Sequence, residues 1–582
     1  MAGRRSWKRA LIALVVALGA YVVRRALTLR TGPWDAYLYL DNARAIVSGG
    51  ATYTLDKPPL LPLLYAPSAS SLWPDPAQEA SMWLLQLQAA ALSLLSMVAV
   101  FRVFSRSLGP TLAWVGVLLS MGNVVFIRYA PMVMTDVLGA GLVALVFASW
   151  MRARGGGRNS AFVVAGIGMG CAAALRYQFA VLPLGIALAE LVIGWRRPRV
   201  LRRRLGGALV AGIVSAVLFF LLHALVYWAI ERPVTPGSFL EALEYAAAGA
   251  RRERPHEEPW HYATMLATCL SPLVLLLAAA GLTLAVRRRR EVDLLFGVWL
   301  LSCTAPLLRV DHNEIRYLYA AFPALIYFAL LPVQQLAGRI DEASLGRGAK
   351  AGIAVGAPVL LLIAIWPGLD QIRRDESDPF FTTDVARASS LWLLRATPQG
   401  LPFVWLGFGH SAHARDLHRL VDDEFFNVFH LGPHVFEHFT ARPMLQWGAV
   451  GTDPVATAIG LRPGGAGVIV GAAKQLSTRE LIDKGNPNRA VEALVIEPLA
   501  PLAPMAVAAS GGRPPPLRQV DGGWVATAEL REVRVARFAS TGQAVVGPPL
   551  RIEAGQRIDA PPSADGGTGL YSIRRRFFAF AR

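Results

Sequence analysis

LGGALVAGIVSAVLFFLLHALVYWAI, residues Leu205 to Ile230, contains no Asp, Glu, Lys or Arg, and His223 is its one histidine. About 20 such residues span the hydrocarbon core of a bilayer as a helix, and a helix satisfies its own backbone hydrogen bonds there. Working outward from this block, comparable apolar stretches predict eleven spans, at 10–23, 82–104, 110–127, 131–151, 160–175, 177–194, 205–230, 262–286, 291–309, 317–336 and 350–367. Composition agrees: 54% of the 582 residues are hydrophobic and 17% charged, against about 25% charged in a soluble chain. The expected fold is a polytopic α-helical membrane domain over residues 1–367, with a soluble extracytosolic α/β or α+β domain over 368–582.

The net charge of +18 is confined almost wholly to the first part. Residues 1–367 carry 35 Lys and Arg against 19 Asp and Glu, whereas residues 368–582 carry 23 against 21. Basic loops on one side of a membrane explain that excess, so no nucleic-acid partner is expected; the partners in view are membrane lipids. With the N-terminus inside, about 22 basic residues fall in about 54 residues of inner loop, including Arg199 and the run Arg287 to Arg290, against about 13 in about 102 outer residues. The N-terminus is therefore expected in the cytosol and the tail outside. Arg4, Arg5, Lys8 and Arg9 before the first apolar stretch also suit a signal peptide, but no small-residue cleavage site follows before Arg24 and Arg25, so an uncleaved anchor is preferred. Cys171, Cys269 and Cys303 all lie in apolar segments, which offers neither a disulfide framework nor a CxxC site.

Two outer loops are long, 24–81 and 231–261, and loops of that size are usually functional. The first holds a predicted helix from Ala36 to Ser48, with Asp35 as N-cap and Gly49 and Gly50 at its stop; in the second, Ser238 and Glu241 form a capping box. The tail reads as a helix at Asp384 to Arg395, a strand at Phe403 to Leu406, a helix opened by Ser477 and Glu480, and a β-rich stretch from Trp524 to Ile552.

Ionisable groups at membrane depth are functional candidates, because inserting one costs roughly 2.5–3.5 kcal/mol. Asp136 stands six residues into the fourth predicted span, about 7–8 Å from its outer end. The alternative reading is a carboxylate that reaches the interface or pairs with Arg128 or Arg176. Glu190, near the cytosolic end of its span, reads as structural. In the first loop Asp35, Tyr39 and Asn42 share one helix face, while Asp41 lies about 120° from Asp35 and also suits an ion pair with Arg44. Lys57 precedes Pro58 and Pro59, which hold it extended as a fixed cation; a lysine reaching lipid headgroups is the alternative. Lys57, Arg176 and Arg316 are all expected at the outer face, where together they suit a phosphate. No cofactor is indicated, and a divalent metal on Asp311, His312 and Glu314 has no spacing signature behind it. His434 to His438 matches the HxxEH pattern, but Gly432-Pro433 leaves little helix ahead of it, and solvated or structural histidines are favoured there.

In order along the chain stand Asp35, then Ala43, Arg44 and Gly49, then Lys57-Pro58-Pro59-Leu60, then Met134-Thr135-Asp136, then Arg316-Tyr317 ahead of Pro323. In this ordered set the chain resembles GT-C fold glycosyltransferases, the group that includes bacterial aminoarabinose transferases and protein O-mannosyltransferases. The resemblance covers roughly residues 10–367. It implies inverting transfer of a hexosyl or pentosyl group from a polyprenyl-phosphate donor to a lipid, glycan or protein acceptor on the outer face of a bacterial-type plasma (inner) membrane. It further implies Asp35 as base, Asp136 as a second acidic residue of the site, and Lys57 and Arg316 as phosphate ligands, with Arg176, Tyr317, Asp41 and Tyr39 as further binding candidates. Where the group often has Asp-Glu, this chain has Asp35-Ala36. The chemistry is coherent in itself: a carboxylate accepts the acceptor's proton, and fixed cations neutralise the leaving phosphate. The competing class is a transporter or lipid flippase with a partner-binding tail, although transporter sites usually lie near the midplane.

Overall fold

The structure, a computed structural model, describes residues 2–29, 34–48, 57–72, 80–156, 159–195, 197–235, 237, 261–309, 315–342 and 347–377, and beyond residue 400 chiefly β-strands. It divides into two compact units, one of Met1–Leu29, Tyr39–Leu72 and Ala80–Ser377, the other of Arg30–Leu38, Trp73–Glu79 and Asp378–Arg582.

The first unit is helical. Its elements are α1 (Ala2–Thr28), α2 (Trp34–Ser48, which enters the unit at Tyr39), α3 (Leu60–Leu72), α4 (Ala80–Leu108), α5 (Pro110–Met121), α6 (Val124–Tyr129), α7 (Asp136–Arg154), α8 (Ser160–Leu175), α9 (Leu182–Gly194), α10 (Pro198–Ala229), α11 (His261–Cys269), α12 (Pro272–Arg288), α13 (Glu291–Thr304), α14 (Phe322–Glu342) and α15 (Arg347–Ser377). Every apolar block of the sequence is helical in whole or in part. Seven helical stretches among the described residues are long and apolar enough to cross a membrane: Trp7–Thr28, Trp83–Leu108, Asp136–Arg154, Tyr177–Gly194, Pro198–Ala229, Arg316–Arg339 and Val355–Glu376.

The span expected at 160–175 is α8 from end to end, whereas those expected at 110–127, 262–286 and 291–309 are broken, and polar caps account for two of the breaks. Asn123 separates α5 from α6 by accepting from the Phe126 amide at 3.0 Å and donating to the Ser120 carbonyl at 2.6 Å. Ser271 accepts from the Val274 amide ahead of Pro272, so the expected 262–286 helix is divided between α11 and α12. α15 runs through Pro367 to Ser377, past the boundary expected at residue 367.

α10 shows what the apolar surface is for. Leu209, Ile213, Val217 and Leu221 are each more than half exposed, an arrangement that only a bilayer makes inexpensive. Its other face packs closely on α8. A Cβ on Gly166 would lie 2.6 Å from the Ala211 carbonyl oxygen and one on Gly170 2.8 Å from that of Ser215, so neither position has room for a side chain. Glu190 of α9, fully buried, accepts the Trp150 indole N–H at 2.7 Å and forms ion pairs with Arg154 at 2.8 Å and Arg204 at 3.3 Å. Arg154 and Arg204 also hold Glu291, which ties α7, α9, α10 and α13 together and gives Glu190 the structural role its sequence position suggested.

In the second unit the described strands form three sheets. One has the order β2-β1-β3-β4-β5, built from Met444–Gln446, Phe403–Trp405, Gly467–Ala472, Val491–Ile496 and Pro504–Ala509; β1 is parallel to β2 and β3, while β4 is antiparallel to β3 and β5. A second, antiparallel sheet centres on Leu530–Phe538, and a third is built on the Leu517–Val520 and Gly523–Ala526 hairpin. The strand expected at 403–406 and the β-rich stretch at 524–552 are present; the helices expected at 384–395 and after Ser477 lie outside the described residues.

Candidate functional site

α7 and α8 form a hairpin, so the first residue of α7 meets the residue that follows α8. Asp136 is that first residue and is 2% exposed. The sequence expected it 7–8 Å inside a helix; instead residues 130–135 remain a turn and α7 begins at the carboxylate, where the helix dipole favours a negative charge. Asp136 forms an ion pair with Arg176, whose extended backbone (φ −152°, ψ 119°) ends α8. Arg176 is one of the two partners the sequence offered for Asp136.

A second arginine completes the cluster. The 3₁₀ turn Ile315–Ala321 carries Arg316 and Tyr317. The Arg176 guanidinium carbon lies 4.3 Å from the centroid of the Tyr317 ring, and that of Arg316 lies 5.2 Å from the same ring and 5.7 Å from the ring of Tyr129. Arg316 is 3% exposed and donates to the Met134 sulfur at 3.6 Å. Two guanidinium groups are thus held by aromatic faces beside one buried carboxylate, a preorganised cationic pair of the kind that binds phosphate or carboxylate.

The other expected residues lie on α2 and just ahead of α3. Lys57 is half-buried in the bend ahead of α3. Tyr39 is buried, and Asp41 pairs with Arg44 at 3.8 Å, the ion-pair reading of that residue. Burial pushes the Arg44 guanidinium below its ordinary pKa, with Asp41 opposing the shift. Ala45 of α2 packs on Val226, Tyr227 and Ile230 at the end of α10. Asp35 stands in the first turn of α2 rather than at its cap, because the helix opens at Trp34; it belongs to the stretch grouped with the C-terminal unit. Asp311, His312, Glu314 and the histidines from His410 to His438 lie outside the described residues. Among the described residues no group of three or more His, Cys, Asp or Glu gathers as metal ligands do.

Tyr129, Tyr177 and His223 were not among the site candidates the sequence offered, and Met134 entered only as part of Met134-Thr135-Asp136. A signal was there: Arg128-Tyr129, Arg176-Tyr177 and Arg316-Tyr317 are three Arg-Tyr dipeptides, each at the edge of an apolar block. Members of all three meet at or beside this cluster.

The family model of the Alg9-like mannosyltransferases matches residues 46–366, more than half of the chain. The chain belongs to the Alg9-like mannosyltransferase family. Its fold is that of GT-C membrane glycosyltransferases. ArnT from Cupriavidus metallidurans bound to undecaprenyl phosphate aligns with a TM-score of 0.53 at 16% identity, over 79% of this chain and 93% of that one. Archaeal oligosaccharyltransferase AglB from Archaeoglobus fulgidus, in complex with an inhibitory peptide and a dolichol-phosphate, aligns with a TM-score of 0.52 at 11% identity, over 95% of this chain and 76% of that one. No curated protein matches the sequence. Membership of a mannosyltransferase family gives the transporter reading of the same spans no support.

Proposed function

We propose that this mannosyltransferase-family member transfers a sugar from a polyprenyl-phosphate donor to a lipid, glycan or protein acceptor at the outer face of the membrane, with inversion at the sugar. The observation that carries the reading is the meeting of Arg176 and Arg316 over one aromatic ring beside the buried carboxylate of Asp136. When the sugar leaves, the lipid phosphate gains negative charge, and guanidinium groups fixed beforehand stabilise that charge without reorganising. Asp136 acts through Arg176, occupying one edge of its guanidinium and leaving the remaining N–H donors for the donor. Lys57, held in its bend by two prolines, adds a third cation. Asp35 is the base that takes the acceptor proton, as the family resemblance implies.

The undecaprenyl phosphate in the ArnT structure and the dolichol-phosphate in the AglB structure support a polyprenyl phosphate as the carrier. The family's name puts a mannosyl donor first among those to try. The test is release of polyprenyl phosphate from isotope-labelled polyprenyl-phosphate mannose by the parent and by Arg316→Gln. Release by the parent and its loss in the variant support the reading; equal release by both overturns the phosphate role of the cluster.

A further inference from the structure

Arg176 reaches Asp136 and Tyr317 from a break in the chain, between α8 and the 3₁₀ turn Tyr177–Val181. A break of this kind interrupts the helical hydrogen-bond ladder, so the direction of Arg176 depends on what fixes the next residue. Tyr177 is fixed from a distance. Its hydroxyl lies 3.2 Å from Nε2 of His223 on α10, and Nδ1 of that ring lies 2.9 Å from the Phe219 carbonyl oxygen. A carbonyl only accepts, so Nδ1 carries the proton, and Nε2 of the neutral ring accepts from the tyrosine hydroxyl.

The rings agree with the hydrogen bonds. Tyr177 and His223 stack at 5.8 Å, and Phe219 meets Tyr177 edge-on at 6.1 Å. His223 is 4% exposed and is the one Asp, Glu, Lys, Arg or His in the Leu205 to Ile230 block. A polar group at such a place is costly unless its bonds do something. α10 is itself locked to α8 through Gly166 and Gly170, so the clamp has a rigid anchor.

We propose that His223 and Tyr177 are positioning residues: they clamp the α8 break to α10 and so set where the Arg176 guanidinium meets the donor phosphate. This rests on the reading of Arg176 as a phosphate ligand. The two histidine substitutions that test it differ in one atom's place. Gln at 223 offers an oxygen near the position of Nε2 and keeps an acceptor for Tyr177, whereas Asn offers an amide near Nδ1 and keeps only the bond to Phe219.

The experiment measures polyprenyl phosphate affinity and melting temperature for the full chain in nanodiscs, in the parent, Arg176→Gln, Tyr177→Phe, His223→Asn and His223→Gln. Tyr177→Phe and His223→Asn are expected to weaken binding about tenfold at near-parent melting temperature, with His223→Gln within about twofold of the parent. Parent affinity in Tyr177→Phe and His223→Asn, with Arg176→Gln weakened, overturns the clamp and leaves the phosphate reading standing. Equal affinities in His223→Asn and His223→Gln reduce the pair to packing and overturn it too. Parent affinity in Arg176→Gln removes the phosphate reading, and the clamp with it.

Discussion

Asp136→Asn removes the charge from a nearly fully buried carboxylate and leaves Arg176, whose side chain is 13% exposed, facing a neutral amide. Breaking a buried ion pair from one side typically costs about 3–5 kcal/mol, because the surviving charge remains desolvated. The favourable position of Asp136 at the first residue of α7 adds about 0.5–1 kcal/mol that Asn forgoes. At about 2 °C per kcal/mol for a large domain, the apparent melting temperature should fall by roughly 7–12 °C. The double variant Asp136→Asn with Arg176→Gln replaces the pair by two amides that can bond to each other, and should recover most of that loss. Donor affinity should remain weak in the double variant, since its cation is gone. The assay is a melting curve and polyprenyl phosphate binding on the three proteins in detergent or nanodiscs. An Asp136→Asn protein with parent melting temperature and parent affinity would refute the claim that this pair holds the site together.

Three further outcomes follow from the same structure. Asp35→Asn should change stability by less than about 1 kcal/mol, since Asp35 supplies only a first-turn charge to α2, yet lower turnover by roughly 10² to 10⁴-fold if it is the base; turnover at the parent rate removes it from that role. Lys57→Ala and Arg316→Gln should each weaken donor binding by roughly ten- to a hundredfold, as the loss of a charge-assisted hydrogen bond does. Unchanged titrations of polyprenyl phosphate in both would return Lys57 to the lipid headgroups. A reporter fused after Ile552 should read extracytosolic and one near Arg199 cytosolic, because basic residues are denser in the loops assigned inside; the same side for both contradicts the topology.

Much of the membrane fold was legible because a bilayer imposes long apolar helices, and blocks such as Leu205 to Ile230 have no other use. What hydropathy does not encode is where a helix stops within such a block. Asn123 and Ser271 are short polar side chains inside apolar sequence, and their capping bonds are what divide the expected spans at 110–127 and 262–286. Candidate residues could be named from the sequence one by one, but their contacts could not. The sequence offered Arg128 and Arg176 as partners of Asp136, and the α7–α8 hairpin is what brings Arg176 to it. Tyr177 and His223 are 46 residues apart, and no periodicity links them; only the close packing of α8 on α10 brings the two rings together. Arg128 and Arg316 each lie over the tyrosine that follows them, a pairing that can be read locally, whereas Arg176 lies over Tyr317 and Arg316 also near Tyr129, rings from elsewhere in the chain.

The most direct test of the account is turnover itself. Purified protein in nanodiscs is incubated with a panel of polyprenyl-phosphate sugars and membrane lipid, glycan and peptide acceptors, and the products are read by mass spectrometry. The account predicts that one donor is consumed, free polyprenyl phosphate and a glycosylated acceptor appear together, and both vanish in Arg316→Gln and Asp35→Asn. Donor consumption that persists undiminished in both variants would contradict it.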